Sequence, residues 1–576
     1  MNSAVIALVV LVLLWLGYRY YGRHIERVVV QPDDAAEVPA IAQRDGVDFE
    51  PARPVMLFGH HFTAIAGAGP IVGPILAVAY FGWAATLGWV VLGSIFIGAV
   101  HDYLALMVSA RSQGRSITEV CSRVVSPRAS VVFAIFVWLA MLLVIAVFAD
   151  LAAKTLVTVP QVVWPNLALC PVAMLLGWAV YRRGVPLLWG SLGALALLVG
   201  SMVLGYYQPL ALPGATQDPD SAHTIWYIIV MLYCVAASVL PVWLLLQPRD
   251  YMSSAFTFAA ILIGFVGLFA AARVIGPESP PAFVGAMSAQ GPIWPMLFIL
   301  VACAACSGFH AIVGSGTTSK QLPDECCGRQ IAYGGMILEA AQGMMVTLLA
   351  AAGLYWVGTH LAPDGTPLLL SQIMQQEGGG WPSVAFVRSF GRIVNLGLPF
   401  LEFQTMVMFA GMALNATLLD TLDACTRLAR FILAENFGKY TWLLRGRWAT
   451  TLITVALATA LGLMGGAAKL WPIFGATNQL IAALALMVVA VYLVGVRRPS
   501  VYAVIPGVFM LCTTVAALLY QGYGFVTAAR PNWLLGPLSF ALALLGLYVV
   551  SEAVPRFLEL QRARVQPAEA PPGGGG

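Results

Sequence analysis

A chain of 576 residues with 60% hydrophobic and only 10% charged residues stands far from the roughly 25% charged residues of an ordinary soluble domain. That composition excludes a water-soluble enzyme or binding module. The net charge of +4 reflects where the basic residues sit in the loops and implies no nucleic-acid partner.

Apolar runs of about 17 to 25 residues, the length that crosses a hydrocarbon core of ~30 Å, recur fifteen times. They lie near 4–20, 57–80, 84–108, 130–152, 163–181, 185–206, 223–246, 252–274, 293–316, 331–357, 398–419, 448–466, 471–495, 501–520 and 533–554. Spanning segments must satisfy their backbone internally, so the expected fold is all-α and polytopic. The first run has its arginines after it and reads as an uncleaved anchor rather than a signal peptide. Residues 21–56 then read as a polar connection, 359–390 as the longest loop on the opposite side, 421–555 as C-terminal spans and 556–576 as a disordered tail. Loops after odd-numbered runs carry 24 of the 30 Lys and Arg residues. By the positive-inside rule these loops and the C-terminus are cytoplasmic, and the N-terminus is outside.

The second run is written Phe58-Gly-His-His-Phe-Thr-Ala-Ile-Ala-Gly-Ala-Gly-Pro-Ile-Val-Gly-Pro74. Gly67, Gly69, Pro70, Gly73 and Pro74 weaken or remove helical hydrogen bonds, and lipid has no water to satisfy the freed groups. Such backbone is tolerated where it is buried or lines a cavity, and broken helices of this kind hold substrate and ions in secondary transporters. Thr63, Gly67, Ala68, Gly69 and Pro70 are therefore candidate substrate-binding residues. Five runs from the second and five from the seventh have opposite orientations, so 57–206 and 223–419 are expected to be inverted repeats within a core of residues 57–420, as in the LeuT-type five-plus-five fold. Ala236-Ala-Ser-Val-Leu-Pro241 is the expected matching break, with Ser238 as a further substrate contact.

Ionisable groups inside spans are costly unless paired or hydrated. His60 and His61, Asp102 beside His101, His310, Glu339 and Glu402 are the candidates for a gate or for proton coupling, since imidazole and desolvated carboxyl groups can be tuned to bind and release a proton. Ser315, Thr317 and Thr318, set among glycines, offer oxygen ligands to a hard cation, which makes sodium the rival coupling ion. Pro248-Arg249-Asp250-Tyr251 reads as a gate at the cytoplasmic surface or as no more than a helix-ending ion pair there. Asp420, Asp423, Arg427 and Arg430 read as a salt-bridged surface helix, and Asn478 with Gln479 as interhelical hydrogen-bond glue. The nine cysteines read as buried thiols. No phosphate-binding loop and no His-Glu-x-x-His motif occurs, so no cofactor and no enzymatic activity are expected.

Five stretches carry a resemblance: Phe58 to Pro74, Leu240 to Asp250, Ser307 to Thr318, Thr421 to Arg427, and Leu470 to Gln479. On these the chain resembles the carbon starvation protein A (CstA) family of bacterial inner-membrane transporters. The resemblance implies uptake of small carbon sources, peptides or pyruvate, by proton symport, in the wider amino acid-polyamine-cation superfamily. The implied partners are a small-molecule substrate and the lipid bilayer.

Overall fold

The computed structural model describes residues 2–45, 49–214, 217–240, 245–271, 281–354, 368, 370–378, 381–438 and 441–565. Among these, thirteen helices are long and apolar enough to cross a membrane, and a further pair, Pro54–Ile65 with Gly69–Phe81, meets the same criterion only when its two pieces are taken together. In chain order the elements used below are α1 (Ser3–Leu16), α2 (Pro54–Ile65), α3 (Gly69–Phe81), α4 (Trp83–Arg111), α5 (Pro127–Thr158), α6 (Val163–Arg183), α7 (Leu187–Tyr207), α8 (Pro219–Val239) and α9 (Leu246–Ala271). Three short pieces follow, α10 (Ile293–Leu300), α11 (Ala302–Ala305) and α12 (Gly308–Gly316). The remainder are α13 (Gly334–Gly353), α14 (Pro382–Gly397), α15 (Phe403–Phe437), α16 (Arg447–Gly495), α17 (Val501–Thr527) and α18 (Leu535–Val565). Gly466, with φ of 62°, divides α16 into two crossings.

The second run breaks as its glycines and prolines require. Pro54 opens α2, where its missing amide costs nothing, and the helix ends at Ala66 in a non-helical conformation. Pro70 stands in the first turn of α3, and the two pieces bend by 45°.

The expected partner break falls at the end of a helix rather than inside one. α8 is continuous from Pro219 to Val239, and both it and Pro248–Ala271 are long enough to cross. The interruption near Leu240 therefore joins two crossings; Pro241 and the three residues after it lie outside the described residues. A further interruption lies in the ninth run, which departs from helix at Val301 (φ −97°, ψ 52°) and again at Cys306 and Ser307, both extended.

Close packing of backbones holds this interrupted segment. A Cβ at Gly73 of α3 would lie 2.4 Å from the Leu300 carbonyl oxygen, and one at Gly475 of α16 would lie 2.1 Å from that of Ile299. Within a bilayer helix association relies on such small-residue contacts because lipid is as apolar as the side chains. The most apolar windows of Glu325–Gly353, Phe403–Ala434 and Lys469–Gly495 are each 89% buried, against 11% for α7, so α13, α15 and the second half of α16 are central and α7 is peripheral.

Three further expectations change. The first helix does not stop near residue 20 but continues to Val30, where Glu26 pairs with Arg329 at 3.0 Å. The stretch read as a loop to residue 390 contains α14, whose Val384, Val387, Phe390 and Val394 are buried. The terminal helix runs to Val565, so residues 556–565 are ordered rather than part of a disordered tail.

Candidate functional site

The two interruptions face each other. A Cβ at Gly69 would lie 2.1 Å from Cys303 Sγ, and one at Gly67 would meet Thr421 Oγ1 of α15 at 2.4 Å and Phe148 of α5 at 3.1 Å. Gly67, Ala68, Gly69 and Pro70 are all buried at this junction, where Pro70 has no amide hydrogen and the amides of Ile71 and Val72 donate to Ala68 O at 3.1 and 2.8 Å. Thr63 is buried one turn earlier and spends its hydroxyl on Gly59 O at 3.0 Å. Ser238 does not join them. Its hydroxyl lies 3.1 Å from that of Thr451, and its carbonyl accepts from Arg430, which is about 13 Å along α15 from Thr421 at 1.5 Å per residue.

Asn478 of α16 ties down the second break. Its Oδ1 accepts from Phe309 N at 2.9 Å, capping α12, and its Nδ2 donates to Ser307 Oγ at 3.0 Å. Gln479 Nε2 donates to Phe298 O at 2.8 Å on the other side of the interruption. The hydrogen-bonding role expected of this pair thus falls on backbone freed by broken helix.

One residue beyond Phe309, His310 stands between two carboxylates. Its Nδ1 lies 2.7 Å from Asp102 Oδ2 of α4, and its Nε2 lies 3.1 Å from Glu339 Oε2 of α13. The second oxygen of Asp102 is 2.7 Å from His101 Nδ1. Asp102, His310 and Glu339 are 2%, 1% and 0% exposed, so solvent does not screen them. His61 flanks the chain, with Nδ1 2.9 Å from Thr318 Oγ1 and its ring 3.2 Å from where a Cβ of Gly335 would sit. Among the described residues no hydrogen-bond partner reaches His61 Nε2, His101 Nε2 or Glu339 Oε1. Buried polar atoms in that state mark places for a mobile proton or a water.

Four of the six coupling candidates therefore converge. His60 turns the other way, with Nδ1 3.6 Å from Asp250 Oδ2. Glu402 is not inside a span: it is the exposed residue preceding α15 and accepts from Tyr206 Oη at 2.9 Å and from Thr405 Oγ1 at 3.0 Å. Of the cation-site candidates, Ser315 donates to Ala311 O at 2.6 Å and Thr317 to Val313 O at 2.9 Å, while Thr318 faces His61. Each hydroxyl is engaged within its own helix or with its neighbour.

A second charged cluster was expected at the surface and is buried instead. Arg249 of α9 is 0% exposed. Its guanidinium meets Asp420 Oδ1 at 2.7 Å and contacts Asp423, both from α15, and Tyr233 of α8 donates to Asp423 at 2.6 Å. The informative signal was distance along the helix: α15 is 35 residues long, so Asp420 sits at its middle. A third group joins Asp150 with Lys154 on α5 and His223, whose Nε2 is 3.1 Å from Asp150; the Lys154 ammonium lies 3.3 Å from the centre of the Trp381 ring.

Comparison with known proteins gives these features a setting. The family described as carbon starvation protein CstA matches residues 2–360 and 370–517. A peptide transporter CstA of Mycobacterium tuberculosis is 34% identical, over 90% of this chain and 74% of its own. One from Bacillus subtilis is 32% identical over 97% and 98%. A pyruvate/proton symporter BtsT of Escherichia coli is 30% identical over 87% and 79%. Among solved structures, a mutant manganese transporter of Eremococcus coleocola aligns with a TM-score of 0.50 at 12% identity, over 88% of this chain and 95% of that one, a likeness of fold alone.

Proposed function

Because the chain belongs to the carbon starvation protein CstA family, we propose that it is an inner-membrane secondary transporter that takes up a small carboxylate-bearing carbon source, a peptide or pyruvate, together with a proton. The observation that carries this reading is the buried sequence Asp102, His310, Glu339 placed directly beside an interrupted helix. An imidazolium between two carboxylates leaves one negative charge, and one further proton makes the group neutral. The three residues thus store or release a single proton as a coupled unit, and His310 sits three residues after Ser307, where the helix is broken. A change of charge there bears directly on the backbone that faces Gly67 to Pro70.

In this reading the two interrupted crossings are the equivalent helices of an inverted-repeat core, the second of them at 293–316 rather than near residue 241. The N-terminus of α3 presents the positive end of its helix dipole to an anionic group. His61 acts as the gate-side neighbour of the proton store, and the loops rich in Lys and Arg face the cytoplasm. The purified chain reconstituted in sodium-free vesicles should accumulate labelled pyruvate or dialanine when the outside is acidified, and a protonophore should abolish the accumulation. Accumulation that requires a sodium gradient and ignores the proton gradient overturns the reading.

A further inference from the structure

The Arg249 cluster has an excess of acid for a purely structural ion pair. One guanidinium faces two carboxylates, all three groups being at most 4% exposed. Asp420 Oδ2, Asp423 Oδ1 and Arg249 Nε have no hydrogen-bond partner among the described residues. Removing charges from water is repaid only when each is fully matched, and here one negative charge is left over in direct contact. The other groups that face the cluster do not cancel it within hydrogen-bond reach. Asp250 is paired with His60, Ser253 donates to Asp420, and Tyr233 donates to Asp423. Arg427 donates to the carbonyls of Ala237 and Leu240, and Arg430 to that of Ser238. Cys170, Cys234 and Cys425 are the remaining titratable neighbours.

Position adds the second argument. Asp420 and Asp423 flank Thr421, the residue against which the Gly67 break is packed. Moreover, the adjacent histidines of α2 divide between the two networks, His60 toward Asp250 and His61 toward Thr318 beside the proton store. A movement of α2 is therefore felt by both.

From this geometry we infer that Arg249 anchors a carboxylate of the transported molecule and that Asp420 is the partner it releases. The inference rests on the reading of the chain as a carboxylate carrier. An incoming carboxylate would add a further negative charge to a buried site that already has one in excess. Like-charge repulsion at low dielectric forbids this, so Asp420 leaves the guanidinium as the neutral acid, carrying the one proton that the Asp102, His310 and Glu339 unit takes up and hands on, so that a single proton accompanies each substrate. Arginine suits the role because its planar fork matches a carboxylate with two parallel hydrogen bonds.

The test compares each acid with its amide: pyruvate against pyruvamide, and dialanine against its C-terminal amide, as competitors of labelled uptake into vesicles. The wild type should prefer the acid by about ten- to hundredfold, the range expected of a hydrogen bond to a charged group. Arg249→Lys should retain part of that preference. The double variant R249Q/D420N, which removes one charge of each sign and so guards against misfolding from an unmatched acid, should bring the ratio close to one. A double variant that still takes up substrate and keeps the wild-type ratio overturns the assignment of Arg249 alone. A wild type that transports neither acid overturns the functional reading and this inference with it.

Discussion

Replacing Asn478 by Leu should damage coupling more than its distance from any carboxylate suggests. The substitution removes the acceptor for Phe309 N at 2.9 Å and the donor to Ser307 Oγ at 3.0 Å. A side-chain hydrogen bond between membrane helices is worth only about 0.6 kcal/mol on average, because the unfolded chain finds other partners. Phe309 N is different: as an N-terminal amide of α12 it has no carbonyl one turn back, and a buried unsatisfied donor costs about 1–3 kcal/mol. The second figure governs, and the total loss is about 2–3 kcal/mol. Much of it falls on the turn that carries His310, which must stay 2.7 Å from Asp102. Thermal unfolding in detergent should show a lower midpoint, and reconstituted N478L should carry fewer protons per substrate before uptake itself disappears. Asn478→Asp, which keeps the acceptor at a helix N-terminus, should fall between the two. A Leu variant with both wild-type stability and a wild-type proton ratio would refute the capping argument.

Glu339→Gln should abolish proton-driven accumulation while leaving exchange of labelled for unlabelled substrate across the membrane within a few-fold of normal; loss of both to the same degree would argue for a structural role. Gly475→Ala places a Cβ 2.1 Å from a backbone oxygen that cannot move aside, and should destabilise by about 1–3 kcal/mol as overpacking does, read as a lower unfolding midpoint in detergent. Glu402→Gln should leave the proton ratio and uptake within about twofold of wild type, since Glu402 is exposed at the start of α15 and surface pairs contribute little. A large coupling defect in that variant would contradict its placement outside the proton store.

The many-span helical character of the chain and the break at Gly67 were readable because each depends on local sequence: run length sets a crossing, and Gly and Pro remove helical hydrogen bonds wherever they stand. The break at Cys306 and Ser307 was not, because no proline marks it; it is held open by Asn478, more than 160 residues away in sequence. α14 escaped notice for a related reason. Arg388, Arg392 and Asn395 lower its hydropathy, yet they share one face and leave Val384, Val387 and Val394 on the buried one.

The candidate site was legible as a set of residue types but not as an arrangement. Asp102, His310 and Glu339 stand out as ionisable groups in apolar runs, which is a property of composition. Their convergence depends on how α4, α12 and α13 pack. Glu402 looked equivalent by the same criterion, and only the start of α15 at Phe403 separates it from them. Arg249, Asp420 and Asp423 were read as surface charges because they followed the apolar runs; the continuous course of α15 through residue 437 carries the two acids into the interior, where Arg249 of α9 meets them.

The most direct test of the account is the proton to substrate ratio of the reconstituted His310→Gln variant, measured as the reversal potential of labelled substrate uptake against an imposed pH gradient. The imidazole that links Asp102 to Glu339 is then gone while the helix and its cap remain. The account predicts that the variant still exchanges substrate but that uptake no longer responds to the pH gradient, with a ratio near zero. A ratio unchanged from wild type would contradict it.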